Sequence, residues 1–257
     1  MDSCEWAMMD VFSFEGLGLL LRRAKACSPV FPLRDWHGQA GVILRHDIDL
    51  DMAAAYEFSR VVGENGIRST FFFLVTAETY NVNAMPARRM LRSMAEDGFE
   101  VALHFDPQVY PDADHAGLAH HARAEGDVLA DIIGQAVDSV SLHNPSVHGN
   151  FMLLDGWNNA YDPAIFAADR YLSDSRMRFR SDPLDFVAQG AERIVQLLLH
   201  PLHYSQSGGR YPLPMLNYLE RQTRMVDAMF RVNSEYQDRV GDRLLDALTD
   251  AVPHWKP

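Results

Sequence analysis

Short apolar runs alternate with amphipathic stretches over residues 42–199, and this alternation constrains the fold more than any other feature. Residues 42–44 (VIL) form a continuous apolar run, the pattern of a strand buried on both faces. Residues 52–64 read as a helix with Asp51 as N-cap. Residues 69–75 (STFFFLV), rich in aromatic and β-branched side chains, read as a second strand. A helix over 85–95, a strand over 100–103 and a helix over about 117–135 follow, with further strands at 137–142, 171–172 and 194–199. Such alternation predicts an α/β chain whose parallel sheet, covered by helices, closes or nearly closes into a barrel. Residues 12–26 form an outer helix, and the tail over about 216–248 is helical. A length of 257 residues suits one domain. The expectation is a single domain over 1–257, with its core at about 42–205 and helical additions at both ends.

Polar groups gather where these strands end. The first strand runs into Arg45-His46-Asp47-Ile48-Asp49 and the third into His104-Phe105-Asp106. Later strands run into His143-Asn144-Pro145, Ser173-Asp174-Ser175-Arg176 and His200-Pro201-Leu202-His203. In a parallel α/β fold the C-terminal strand ends share one face, so five strands deliver ligand or proton-transfer groups to one place. Asp47 and Asp49 are two apart and point to the same side of an extended chain. Two such carboxylates repel unless a cation lies near or one is protonated. A divalent metal resolves the conflict, one carboxylate binding it while the other acts as a base. His104 and His143 can complete a three-ligand set of the kind catalytic zinc uses, and Fe, Co or Mn also suit mixed imidazole and carboxylate ligands.

Each residue also has a plainer reading. Asp49 or Asp51 can cap the next helix, and a His after a buried strand is commonly a hydrogen-bonded core residue. Several buried polar residues at one end of one sheet, each unpaired, would carry a large desolvation penalty, which favours a site. His115, His120 and His121 lie in an acidic helical stretch and are read as solvated.

A net charge of -12 argues against a nucleic-acid binder. The only lysines, Lys25 and Lys256, flank the core region, which excludes Schiff-base, Walker-type and carbamylated-lysine chemistry there. Cys4 and Cys27 make no disulfide framework and are read as free thiols. The acidic start Met1-Asp2-Ser3-Cys4-Glu5 lacks a signal-peptide pattern, and no apolar stretch is of membrane-spanning length, so the expectation is cytoplasmic. The irregular stretch 146–165, with Trp157, Asn158, Asn159 and Tyr161, is expected to shape a binding site.

With these residues in place, the chain resembles the NodB-type polysaccharide deacetylase superfamily (carbohydrate esterase family 4-like, in an HDxD variant), which has a distorted (β/α) barrel. The resemblance spans about residues 42–203. It is carried by LRHDIDLD (44–51), the following helix and the STFFFL strand. GFEVALH resembles a second motif, and SLHNPS, YLSDSR and LLLHP resemble later ones. It implies Asp47 as general base, Asp49 and His104 as metal ligands, and His200 as the acid that protonates the leaving amine, with Asp174 and Arg176 in the catalytic set. The implied cofactor is one divalent metal, zinc first. The implied reaction is attack of water on an N-acetyl carbonyl that the metal polarises.

Three departures accompany the resemblance. Ile48 separates two aspartates that are usually adjacent. Gln108 stands where a second metal His is usual, which leaves His143 or Glu125 as third ligand. The Arg that orients the base is displaced, which leaves Arg176 or Arg45. The implied activity is removal of an N-acyl group from an amino sugar or related polysaccharide precursor, a small-molecule or oligosaccharide substrate. Two other readings compete: an inactive carbohydrate-binding protein that kept the fold, and a hydrolase on another barrel, of amidohydrolase or phosphoesterase type. The latter lacks its His-x-His opening and core lysine.

Overall fold

A computed structural model describes residues 10–149, 151–240 and 244. The chain divides into two compact units, Met1–Gly208 and Gly209–Pro257. The first contains α1 (Phe14–Cys27), β1 (Val30–Phe31), β2 (Gly41–Ile48), α2 (Met52–Glu64), β3 (Thr70–Leu74) and α3 (Met85–Glu96). It continues with β4 (Glu100–Phe105), α4 (His115–Ile133), β5 (Ser139–Leu142), β6 (Asn158–Asn159), β7 (Tyr171–Ser173), α5 (Pro183–Ala188) and β8 (Ile194–Leu198). The second unit contains α6 (Leu213–Phe230) and α7 (Ser234–Val240). Cys4 and most of the expected helix beyond Val240 lie outside the described residues, as does any pairing of Cys27 with Cys4.

All the strand pairs are parallel, in the order β6-β5-β4-β3-β2-β8-β7, with β1 added beside β2. The sheet is curled: the Asp47 carboxylate on β2 accepts a hydrogen bond from Ser141 Oγ on β5, three strands away, at 3.2 Å. The result is the distorted (β/α) barrel expected from the sequence, open between β6 and β7.

Period-two alternation sorts the strands into two faces. Val42, Leu44, Phe71, Phe73, Val101, Leu103 and Phe105 belong to the outer core beneath the helices. Ile43, Phe72 and Ala102 join Ala160 and Ile165 in a smaller core inside the barrel. Below that core Glu100 accepts hydrogen bonds from Thr70 Oγ1 (2.6 Å) and the Arg34 amide (3.0 Å), closing the N-terminal end with polar contacts. Arg45 and Asp47 follow Ile43 on the inner face, so the site stands on a plugged barrel.

β2 is longer than the apolar run 42–44. It continues through Arg45, His46, Asp47 and Ile48, every residue buried, because β3 and β8 flank it on both sides. His46 faces the helices as a core residue, its ring nitrogens 3.2 Å from Leu199 O and 3.0 Å from Ser69 Oγ. Burial lowers its pKa to about 3, so the imidazole is neutral. Asp51 caps α2 through the Ala54 amide at 3.0 Å, which leaves Asp49 free of any capping role.

Among the described residues no helix is long and apolar enough to cross a membrane.

Candidate functional site

Strand register sets the height of each group. Arg45 pairs with Leu198, so Asp47 on β2 and His200, two residues past the end of β8, come to similar heights. Leu74 pairs with His104, and His104 with Ser141, which puts His143 one inward position above Ser141. The C-terminal ends of β2, β4, β5, β7 and β8 thus meet at one mouth.

Three ligand atoms converge there. Asp49 Oδ1 lies 3.1 Å from His104 Nε2 and 3.2 Å from His143 Nδ1, and the two imidazole nitrogens are 3.2 Å apart. A tetrahedral ion with bonds of about 2.0–2.1 Å has ligand–ligand edges of about 3.3–3.4 Å, so the triangle fits a zinc-like site with one position left over. His104 Nδ1 sits 3.2 Å from the Ser141 carbonyl, so Nδ1 can keep its hydrogen while Nε2, which faces Asp49, gives up its own to a metal. His143 Nε2 lies 2.8 Å from Asn144 Nδ2, which donates to it; turning that amide over would bring its oxygen there, put the hydrogen on Nε2 and free Nδ1 to ligate. Burial would raise the Asp49 carboxyl, but hydrogen bonds from the two imidazoles hold it well below the usual range. Burial would lower His143, but Asp49 raises it. Arg45 pairs with Asp47 and His200 with Asp174, while Asp49 is paired with the two imidazoles of His104 and His143. Among the described residues, Asp49, His104 and His143 form a group that could hold a metal ion.

Asp47 is held from one side only. Its Oδ2 accepts from Arg45 Nη2 at 3.3 Å and from Ser141 Oγ at 3.2 Å, while Oδ1 is buried with no hydrogen-bond partner in the protein. Arg45 is fully buried, donates also to the Tyr161 hydroxyl at 3.1 Å, and lies 4.8 Å from the Tyr161 ring centroid. Asp174, also fully buried, accepts from His200 Nδ1 at 2.6 Å and from the His200 amide, with His203 Nδ1 3.3 Å from its other oxygen. Burial would lower the His200 pKa, but the Asp174 charge outweighs it and raises the value to about 9. The same partnership drives the Asp174 carboxyl far down.

Of the residues singled out in the sequence, Asp47, Asp49, His104, His143, Asp174 and His200 come together. Arg176 does not join them: it is exposed, in a left-handed turn (φ 60°), and the guanidinium that meets Asp47 belongs to Arg45. Gln108 is exposed on a 3-10 turn. Glu125 is bonded to the Tyr110 hydroxyl at 2.8 Å and stands apart from the ligand triangle. His115 and His120 are exposed, and the half-buried His121 stacks on Tyr110. Trp157 packs on Gly126 and under Arg123, away from the mouth, whereas Tyr161 lines it. Sequence reasoning missed Ser141, although the polar alternation Ser139, Ser141, His143 marks one face of β5. It also missed Phe151, Phe166 and Tyr171, which line the cleft beside the triangle.

No family model matches the chain, and no curated protein matches it. Solved structures similar to it include a chitin deacetylase from Colletotrichum lindemuthianum, at 17% identity over 71% of this chain and 83% of that one, with a TM-score of 0.44. Another is a polysaccharide deacetylase from Bacillus cereus, at 17% identity over 72% and 89%, TM-score 0.41. A third is a CE4 family pseudoenzyme from Bacillus anthracis, at 13% identity over 71% of this chain and 62% of that one, TM-score 0.42. A mutant pseudoenzyme of the same family, described as having restored activity, is 12% identical, and the chain spans 64% of its length. Likeness at this distance leaves the chemistry to be read from the residues themselves.

Proposed function

We propose that the protein is a metal-dependent hydrolase that removes an N-acyl group from an amino sugar or a related polysaccharide precursor. The triangle of Asp49 Oδ1, His104 Nε2 and His143 Nδ1, with edges of 3.1–3.2 Å, carries the reading. Those three residues would hold one divalent ion, zinc first among the candidates. When bound, the ion supplies polarisation of the acyl carbonyl and a lowered pKa for the attacking water.

The chain's own groups supply the proton transfers. Arg45 and Ser141 fix Oδ2 of Asp47, so Oδ1 is the oxygen available to take a proton from water as it attacks the acyl carbon. His200, kept charged by Asp174, stands just past the end of the strand beside Asp47 and donates its proton to the departing nitrogen. A C–O bond forms, the C–N bond breaks, and the products are a carboxylate and an amine.

Elemental analysis of the purified protein, joined to carboxylate release from N-acylated glucosamines with added Zn, Mn or Co, tests the reading. The expected result is one ion per chain and turnover that Asp47→Asn lowers by about 10²–10⁴-fold while metal binding persists. One bound ion with no turnover of any N-acyl sugar would instead mark a fold kept for binding.

A further inference from the structure

Proton transfer and metal binding use only the polar side of the cleft, whose volume is about 210 Å³. Its other side is apolar. Leu142 and Leu198 are 2% and 3% exposed, and Tyr161, Phe166, Tyr171 and Phe151 form a continuous ring cluster beside them. Ring centroids lie 5.5 Å apart for Phe151–Tyr161 and for Phe151–Phe166, 4.8 Å for Tyr161–Phe166 and 4.7 Å for Phe166–Tyr171. The Tyr161 hydroxyl is already committed to Arg45 and to the Leu142 carbonyl (3.4 Å), so this residue meets a ligand as a hydrocarbon surface. Phe151 remains 43% exposed at the cleft, an apolar ring left facing water.

Height in the barrel decides which part of a substrate reaches these rings. Tyr171 pairs with Gln196 and Ser173 with Leu198, so Tyr171 and Leu198 lie deeper than the Asp47–His200 level. The amine side of the substrate carries its bulk and must stay at the open mouth, with its nitrogen at His200. The acyl side is the part that turns inward. An acetyl group, of only about three heavy atoms, is too short to reach from the reacting carbon across the ring cluster, whose neighbouring centroids are 4.7–5.5 Å apart.

Resting on the hydrolase reading, we propose that the apolar side of the cleft is a pocket for an aliphatic acyl chain longer than acetyl. The reaction is otherwise unchanged, with water adding to the acyl carbon and a longer carboxylate leaving.

Turnover of N-acetyl-, N-butyryl- and N-hexanoylglucosamine by the metal-loaded full chain, with calorimetric binding of acetate and hexanoate, tests the proposal. The expected kcat/KM for a longer acyl group exceeds that for acetyl by at least about tenfold, and hexanoate binds at least about tenfold more tightly than acetate. Phe151→Ser, at an exposed position that leaves folding undisturbed, narrows both ratios, and Leu198→Phe shifts preference back toward acetyl. Equal or greater turnover of the acetyl sugar with no preference for hexanoate overturns the acyl pocket and leaves the hydrolase standing. Preferential hexanoate binding with no turnover of any substrate overturns the hydrolase and supports the pocket.

Discussion

Arg45 shows how much one side chain settles at this site. Its guanidinium is fully buried, Nε and Nη1 have no protein partner, and the charge is balanced by Asp47 at 3.3 Å. Removing one member of a buried ion pair strands the other, so Arg45→Met is expected to lower stability by about 3–5 kcal/mol in urea unfolding. Adding Asp47→Leu should recover part of that loss, and a double variant no better than the single one would show that the pair is not coupled. His200 gives a prediction in solution. As an acid it works only while protonated, so turnover should fall as pH rises through about 9, and Asp174→Asn should move that alkaline limb to lower pH. Asp47 and Asp49 were legible in the sequence because a two-residue spacing in a strand fixes a shared face. The sequence offered Arg45 beside Arg176 as the partner of Asp47 without deciding between them, and the Ser141 contact was not legible, since it depends on curl that brings β5 opposite β2. Arg176 was the other candidate for the displaced Arg that orients the base, but it lies exposed in a left-handed turn.

Among the elements, helix and strand centres follow the sequence closely while their ends and outward packing follow the tertiary structure. Apolarity alone marked residues 42–44, and β2 runs on to Ile48 because two neighbouring strands bury charged residues that look like loop in isolation. α4 shows the same limit. Its Gly126 looks like a weak point in a helix, yet a Cβ there would come within 2.7 Å of Cη2 of Trp157. Gly126→Ala is therefore expected to destabilise by about 1–3 kcal/mol despite its better helix propensity, with the loss read as a lowered Tm. An unchanged or raised Tm would mean that Trp157 can withdraw. That indole, 4.0 Å from the Arg123 guanidinium carbon, ties the irregular segment to α4 and leaves Tyr161 to reach the mouth. Composition alone could not tell which of the two aromatic residues would do so.

Over the whole molecule the shifted groups set a pH profile for the metal-free protein. His200, raised to about 9 from an ordinary 6.5, stabilises fully below 6.5, and that contribution is lost as pH rises through 9. His46, lowered to about 3, acts in the opposite sense: its native site refuses a proton, so stability falls as pH drops below 6.5. Asp174 and Asp49, both depressed, also lose their contributions in acid. Glu125, raised to about 7 from 4.5 by burial, favours lower pH between those values and offsets His46 there. Thermal melts should thus show a broad maximum between roughly pH 4.5 and 6.5, with Tm falling on both sides. Saturating zinc should reverse the alkaline fall, because deprotonated ligands bind it best. A metal-free Tm that rises steadily to pH 9 would contradict these assignments.

The barrel's open seam has a mechanical consequence. No backbone ladder joins β6 to β7; the gap is crossed by Gln196 Nε2 donating to Ala160 O at 3.0 Å and by the rings of Tyr161, Phe166 and Tyr171 in contact. A fully hydrogen-bonded cylinder has a fixed circumference, whereas one closed by edge-on aromatic contacts, with interplanar angles of 78° and 61°, is a split ring without that constraint. Its girth would yield at the wall where the ring cluster lies, while the strands that carry Asp47, Asp49, His104 and His200 stay locked in mid-sheet register.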